Sequence, residues 1–277
     1  MNIRKEVKLH RFYGTVKVCT GVQMPYFEQG DSSGIPLVLV HAVGDSQYIF
    51  EGVLARLPAS VHAFAPTMRG HGDASRPESG YRSSDFAADL AAFLDAVHIE
   101  AAVIAGGSSG GLVVQRFAID FPNRILGLVL LGAPLTFRDK PFAQELWDST
   151  ISKLTDPIDP GFVRRFTEST LSRPVPDALL DALVRESLKV PALVWRETVI
   201  GILEDDFSSE LAKITVPTLV IWGDGDTLLP RKDQEALTRL INGARLVVYP
   251  GSGHVFYWEE PARVAADLAS FTKEFAS

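Results

Sequence analysis

Two hydrophobic patterns alternate along the chain. Short, nearly unbroken apolar runs occur at residues 36–40, 61–66, 101–105, 125–131, 217–222 and 245–249. Such runs predict strands covered on both faces, as in a mainly parallel sheet. Between them lie stripes of helical spacing. Phe86, Leu90, Phe93, Leu94 and Val97 form one, after a candidate N-cap at Ser83 and Ser84. Val264, Leu268, Phe271 and Phe275 form another near the C-terminus. Both stripes read as core packing. The first thirty residues, broken by Gly14 and Gly21, predict antiparallel edge strands. The fold class that follows is α/β, with helices flanking a central sheet.

One stretch breaks the alternation. Residues 136–210 hold no clear strand and are punctuated by Pro141, Pro157, Pro160, Pro174, Pro176 and Pro191. The pattern predicts a helical cap at 136–210, inserted into a core made of 1–135 and 211–277. The plainer alternative is a set of helices packed on the core edge that covers no site.

Composition narrows the picture. A length of 277 residues suits one large α/β domain, and neither repeats nor low-complexity segments appear. A net charge of −7, with no long Lys/Arg run, argues against a nucleic-acid partner. The single cysteine, Cys19, excludes an intrachain disulfide and fits a cytoplasmic location. It reads as an incidental thiol rather than a nucleophile. Residues 1–10 carry charge with no apolar core behind them, unlike a signal peptide. The longest apolar run, 125–135, is too short to cross a bilayer, so no membrane partner is expected.

The chemistry concentrates at strand ends. The run at 101–105 leads into Gly106-Gly107-Ser108-Ser109-Gly110-Gly111 and then a helical stretch. Strand, tight turn and helix are the context that a G-x-S-x-G nucleophile elbow requires. Glycines let strand and helix approach, and the helix N-terminus favours negative charge beside the hydroxyl. Two frames fit, one centred on Ser108 and one on Ser109. A serine nucleophile needs a base, and the base an orienting carboxylate, in the chain order Ser, acid, His. Asp224 and Asp226 follow one apolar run, and His254 lies among glycines after the next. Either aspartate could orient the base; the other could simply cap a turn.

These segments resemble the α/β-hydrolase superfamily, in its capped serine-hydrolase branch of esterases, lactonases, haloperoxidase-like enzymes and C–C bond hydrolases. Residues 39–43 resemble the strand and oxyanion loop of that family, and residues 66–75 its D-x-R-G-x-G-x-S loop. Gly223-x-x-Asp226 resembles the acid loop. Gly253-His254, followed by Glu259 and Pro261, resembles the base loop. The resemblance implies Asp226 rather than Asp224 as the acid. It also implies Ser108 as the nucleophile, since Pro122 and the Gly110-Gly111 pair suit that frame. The oxyanion donors would be the backbone N–H groups of Val43 and Ser109, with the Ser109 side chain pointing elsewhere. Two departures stand out: Ala42 replaces the family glycine, and Thr67 the usual aspartate. His41 and His71 match structural positions and are read as neither base nor metal ligand.

The expected activity is hydrolysis of a small-molecule ester or lactone through an acyl-enzyme, with no metal and no cofactor, in a monomer or homodimer. C–C bond hydrolysis and a triad-retaining small-ligand receptor are the alternatives. Serine at position 108 argues against dehalogenase and epoxide hydrolase chemistry. Phe142, Trp147, Phe166 and Trp195 are candidate pocket aromatics, with Trp147 and Trp195 taken as substrate-binding residues.

Overall fold

The computed structural model describes residues 11–276; the segment 1–10, read above for a leader, lies outside them. Eight strands form one sheet in the order β1-β2-β4-β3-β5-β6-β7-β8. They are β1 (Phe12–Lys17), β2 (Gln23–Gln29), β3 (Ile35–Val40), β4 (Val61–Pro66), β5 (Ala102–Gly107), β6 (Ile125–Leu131), β7 (Thr218–Gly223) and β8 (Arg245–Tyr249). β2 runs antiparallel to both β1 and β4, and every other pairing is parallel. The apolar runs therefore became the parallel strands, and the first thirty residues the antiparallel edge. Gly14 does not break that edge; it sits inside β1, opposite Tyr26.

Alternation along the strands divides the core in two. Val38 and Val40 pack with one cluster, Leu37 and Leu39 with the other, because successive side chains point to opposite faces. The first cluster is closed by α2 (Ser83–Ala96) and α3 (Gly110–Asp120), with α8 (Arg231–Leu240) beside them. The second is closed by α1 (Glu51–Leu54), α9 (Phe256–Glu259) and α10 (Pro261–Lys273). Burying each such aliphatic side chain stabilises the fold by about 1.5–3 kcal/mol. Ser83 begins α2 rather than capping it. The Asp85 carboxylate takes the Arg82 N–H at 3.0 Å, and the Ser83 hydroxyl turns to Asp205 instead.

Four helices lie between β6 and β7: α4 (Pro141–Ser149), α5 (Pro160–Glu168), α6 (Asp177–Ser187) and α7 (Ala192–Glu204). The prolines mark their beginnings. Pro141 and Pro160 open α4 and α5, while Pro176 and Pro191 directly precede α6 and α7. A proline costs least there, because the first helical N–H groups have no intrahelical acceptor. The two ends of this excursion meet. Thr136 bridges Asp206, and its hydroxyl donates to the Asp205 carbonyl at 2.7 Å. Among the described residues no helix is long and apolar enough to cross a membrane.

Candidate active site

Ser108 stands between β5 and α3. Its φ is +48°, a left-handed conformation that costs an L residue with a side chain about 1–2 kcal/mol. The neighbouring glycines permit the turn. A Cβ on Gly106 would meet the Gly110 carbonyl at 2.5 Å, and one on Gly110 would meet the His41 carbonyl at 2.5 Å. The Ser108 N–H donates to the Leu131 carbonyl at 2.9 Å, which fixes the turn against β6. Ser109 has helical dihedrals and directly precedes α3. Of the two serines, Ser108 occupies the strained apex.

The loops after β7 and β8 bring two more side chains to this apex. His254 Nε2 lies 2.7 Å from Ser108 Oγ, and His254 Nδ1 lies 2.8 Å from Asp226 Oδ2. The other Asp226 oxygen accepts the N–H groups of Leu228 and Leu229 at 2.8 and 3.0 Å. Both side chains are shut away from solvent. Asp224 sits elsewhere: it is exposed, and its carboxylate accepts the Gly251 N–H, a turn contact. Glu259 has a role that its place in the motif did not reveal. It accepts the Gly253 N–H at 2.8 Å and the Ser172 N–H at 2.8 Å, and so ties the histidine loop to the helical excursion.

The oxyanion side holds a correction. The Val43 N–H donates to Ser109 Oγ at 2.9 Å. The Ser109 side chain thus points at the oxyanion loop rather than away from it. A substrate carbonyl would compete with this hydroxyl for the Val43 N–H. The physical reason is that a buried N–H must find an acceptor, and the hydroxyl lies within reach. Ala42, in place of the family glycine, is buried in this loop. His41 holds the loop by a 2.8 Å contact from Nδ1 to the Ala42 carbonyl, and its Nε2 accepts the Met68 N–H at 2.9 Å. Burial lowers the pKa of His41 to about 3 and that of His71 to about 4. Both imidazoles are therefore neutral over the physiological range. No cluster able to hold a metal ion occurs among the described residues.

The comparisons with known proteins bear on this arrangement. The model of the alpha/beta hydrolase family matches residues 37–267. The chain belongs to the alpha/beta hydrolase family. A non-heme chloroperoxidase from Streptomyces lividans is 27% identical over 278 residues, covering 94% of this chain and 99% of that protein. Among solved structures, an esterase from Exiguobacterium antarcticum superposes with a TM-score of 0.85 at 23% identity, covering 95% of this chain and 100% of that one. That likeness is one of fold. An N-acyl homoserine lactone degrading enzyme superposes with a TM-score of 0.78 at 25% identity, covering 93% and 100%.

Within this hydrolase fold, a cavity of about 660 Å³ opens over Ser108 and His254. Its core-side wall carries Ala42, Val43, Asp45, Tyr257 and Trp258. Its other wall comes from α4, α5 and α7, through side chains such as Phe142, Leu146, Phe162, Phe166 and Leu203. Of the four aromatic candidates, Phe142 and Phe166 line this space; Trp147 and Trp195 do not. Trp195 is fully buried one layer back, packed edge-on against Phe162 and Phe166 with ring centroids 5.7 and 5.4 Å away. Its ring also covers Gly44, where a Cβ would meet it at 2.2 Å. Trp147 packs, half-buried, against the core cluster. Neither tryptophan expected to bind substrate thus reaches the cavity: Trp195 supports its wall from behind Phe162 and Phe166, and Trp147 packs against the core.

Proposed function

We propose that the protein is a serine hydrolase of carboxylic esters, lactones included. The observation that carries this reading is the hydrogen-bonded run from Ser108 through His254 to Asp226 at the floor of a largely apolar cavity. Ser108 Oγ attacks the ester carbonyl as His254 Nε2 takes its proton. Asp226 holds the imidazole in orientation and stabilises the cation that forms. The tetrahedral oxyanion accepts hydrogen bonds from the backbone N–H groups of Val43 and Ser109. The first of these is released when the Ser109 hydroxyl gives way. Oxyanion donors of this kind contribute about 3–4 kcal/mol each to the transition state. His254 returns the proton to the departing alkoxide, leaving Ser108 acylated. Water, deprotonated by His254, then attacks the acyl carbonyl; the C–Oγ bond breaks, the acid leaves, and His254 returns the proton to Ser108 Oγ.

The apolar wall of α4, α5 and α7 suits an aliphatic or aromatic acyl chain. The names of the esterase and of the lactone degrading enzyme lend support to ester and lactone substrates. A panel of p-nitrophenyl esters and aliphatic lactones of graded acyl length tests the reading. Multiple turnover that disappears in Ser108→Ala is the expected result. A single turnover with retained product, or no cleavage of any member, sinks it.

A further inference from the structure

The cavity over Ser108 is apolar except for a handful of groups, and most of those are already satisfied. Asp159 caps α5 through the N–H groups of Gly161 and Phe162 at 2.9 and 3.1 Å. The hydroxyls of Thr167, Ser169 and Thr170 donate to backbone carbonyls at 3.0, 2.7 and 2.7 Å. Arg165, also on the lining, faces Asp159 at 3.6 Å and is largely exposed, so none of these groups is both shut in and unpaired.

The core-side wall differs. Asp45 lies two residues past Val43, on the same loop that would receive the oxyanion, and lines the cavity. Among the described residues no hydrogen bond or ion pair engages its carboxyl. Beside it on that wall, the buried Tyr257 hydroxyl and Trp258 indole N–H also have no partner. Three polar groups thus stand without a protein partner at one side of a largely apolar cavity, Asp45 on its lining and the two donors closed off just behind it. Leaving such a group unpaired costs about 1–3 kcal/mol, so a ligand group that pairs with it is favoured by a similar amount. Burial drives the Asp45 carboxyl well above the usual carboxylate range, and burial, with the charge of Asp226, pushes the Tyr257 phenol up as well. Both are held toward their neutral forms, which suits an uncharged ligand group rather than an ion.

We propose that Asp45, with Tyr257 beside it, forms a subsite for a hydroxyl placed within a few bonds of the scissile carbonyl, so that the substrates are hydroxylated esters with an otherwise apolar chain. A hydroxyl both donates and accepts, and so pairs with both the O–H and the C=O of a neutral carboxyl. A plain alkyl ester would leave both unpaired. Selectivity arises from that difference rather than from the fit of the chain. The inference rests on the ester-hydrolase reading for its substrate class, but its test needs no turnover.

Binding is measured by titration calorimetry on the full chain carrying Ser108→Ala. The ligands are methyl octanoate, methyl 2-hydroxyoctanoate, methyl 3-hydroxyoctanoate, 2-hydroxyethyl octanoate and methyl 3-aminooctanoate. At least one hydroxyl ester is expected to bind about tenfold or more tighter than methyl octanoate. Adding Asp45→Ala should abolish that gain and leave the affinity for methyl octanoate within about threefold. If that variant does not fold, Tyr257→Phe serves in its place, with a partial loss of the same gain expected. Equal affinity for all the neutral esters overturns the subsite. So does a gain that survives both substitutions, or a gain largest for the ammonium ester. Hydrolysis by the unmodified chain is scored separately. Failure to cleave any of these esters counts against the proposed activity, whereas cleavage without a hydroxyl preference in binding counts against the subsite alone.

Discussion

The two walls of the cavity are built on different terms. The core-side wall, from the loops after β3, β5, β7 and β8 and from α9, carries the reacting polar groups, each fixed atom by atom. Asp226 is held by two backbone N–H groups, the His254 loop by Glu259, and Ser108 by the Leu131 carbonyl. The helical wall is mostly apolar, with Asp159 and Arg165 its charged members, and the Thr167, Ser169 and Thr170 hydroxyls are turned back onto backbone carbonyls. Backbone hydrogen bonds position an atom to a fraction of an ångström, as proton transfer requires. Packed phenylalanines fill volume and tolerate exchange, as chain selection allows. Chemistry should therefore be brittle on the first wall and graded on the second.

The largest effect expected is from Ser108→Ala, which should lower kcat for p-nitrophenyl butyrate by at least about 10³-fold with thermal stability retained. Activity near that of the unmodified protein would remove the core wall from the chemistry altogether. Next comes the pair of aspartates. Asp226→Asn should cost about 10²–10⁴-fold in kcat, whereas Asp224→Asn, whose partner is only the Gly251 N–H, should stay within about tenfold. The reverse ranking would mean that the wrong carboxylate has been placed behind His254.

Acid should loosen the core wall before the helical one. His41 and His71 hold folded-state pKa values of about 3 and about 4, below the 6.5 of the unfolded chain. The unfolded state therefore binds protons first as the pH falls. The stability these groups contribute is complete above about pH 6.5 and drains away toward pH 3–4. At pH 5 each should have cost about 2 kcal/mol. Urea unfolding at pH 7 and pH 5 measures this, and a His71→Gln chain should show a shallower slope. An unchanged midpoint between the two pH values would contradict the buried, neutral state of these rings.

On the helical wall, Phe166→Ala should shift the preferred acyl length by two or more carbons and change kcat/KM for the acetate ester by less than about fivefold. A collapse of activity on every ester would show that this wall takes part in the chemistry. The smallest effect should come from Ser109→Ala. It removes the hydroxyl that engages Val43 but keeps the backbone N–H, so kcat should change by less than about tenfold, well short of the loss of an oxyanion donor. A loss of 10²-fold or more would make the hydroxyl itself part of the oxyanion site.

Much of this molecule could be read from local pattern. The apolar runs at 61–66, 125–131 and 245–249 coincide with β4, β6 and β8, because a strand buried on both faces leaves no polar register to interrupt it. Prolines announced where α4 and α5 begin, through backbone chemistry that needs no distant partner. The small residues around Ser108 signalled the elbow for the same reason, although two serine frames remained until family resemblance and then the φ of +48° favoured Ser108. What tertiary structure alone decided lies between residues far apart in the chain. Val43 and Ser109 are 66 positions apart, Ser172 and Glu259 are 87, and Ser108 and His254 are 146. No periodicity reaches across such gaps. Trp195 and Phe166 are both large, aromatic and borne on helices, so composition ranks them alike. Only the packing of α7 behind α5 sends one into the second layer and leaves the other facing the cavity. Asp45 was passed over for a similar reason. An aspartate in a loop is ordinary until the surrounding fold sets it on an apolar cavity with no protein partner for its carboxyl.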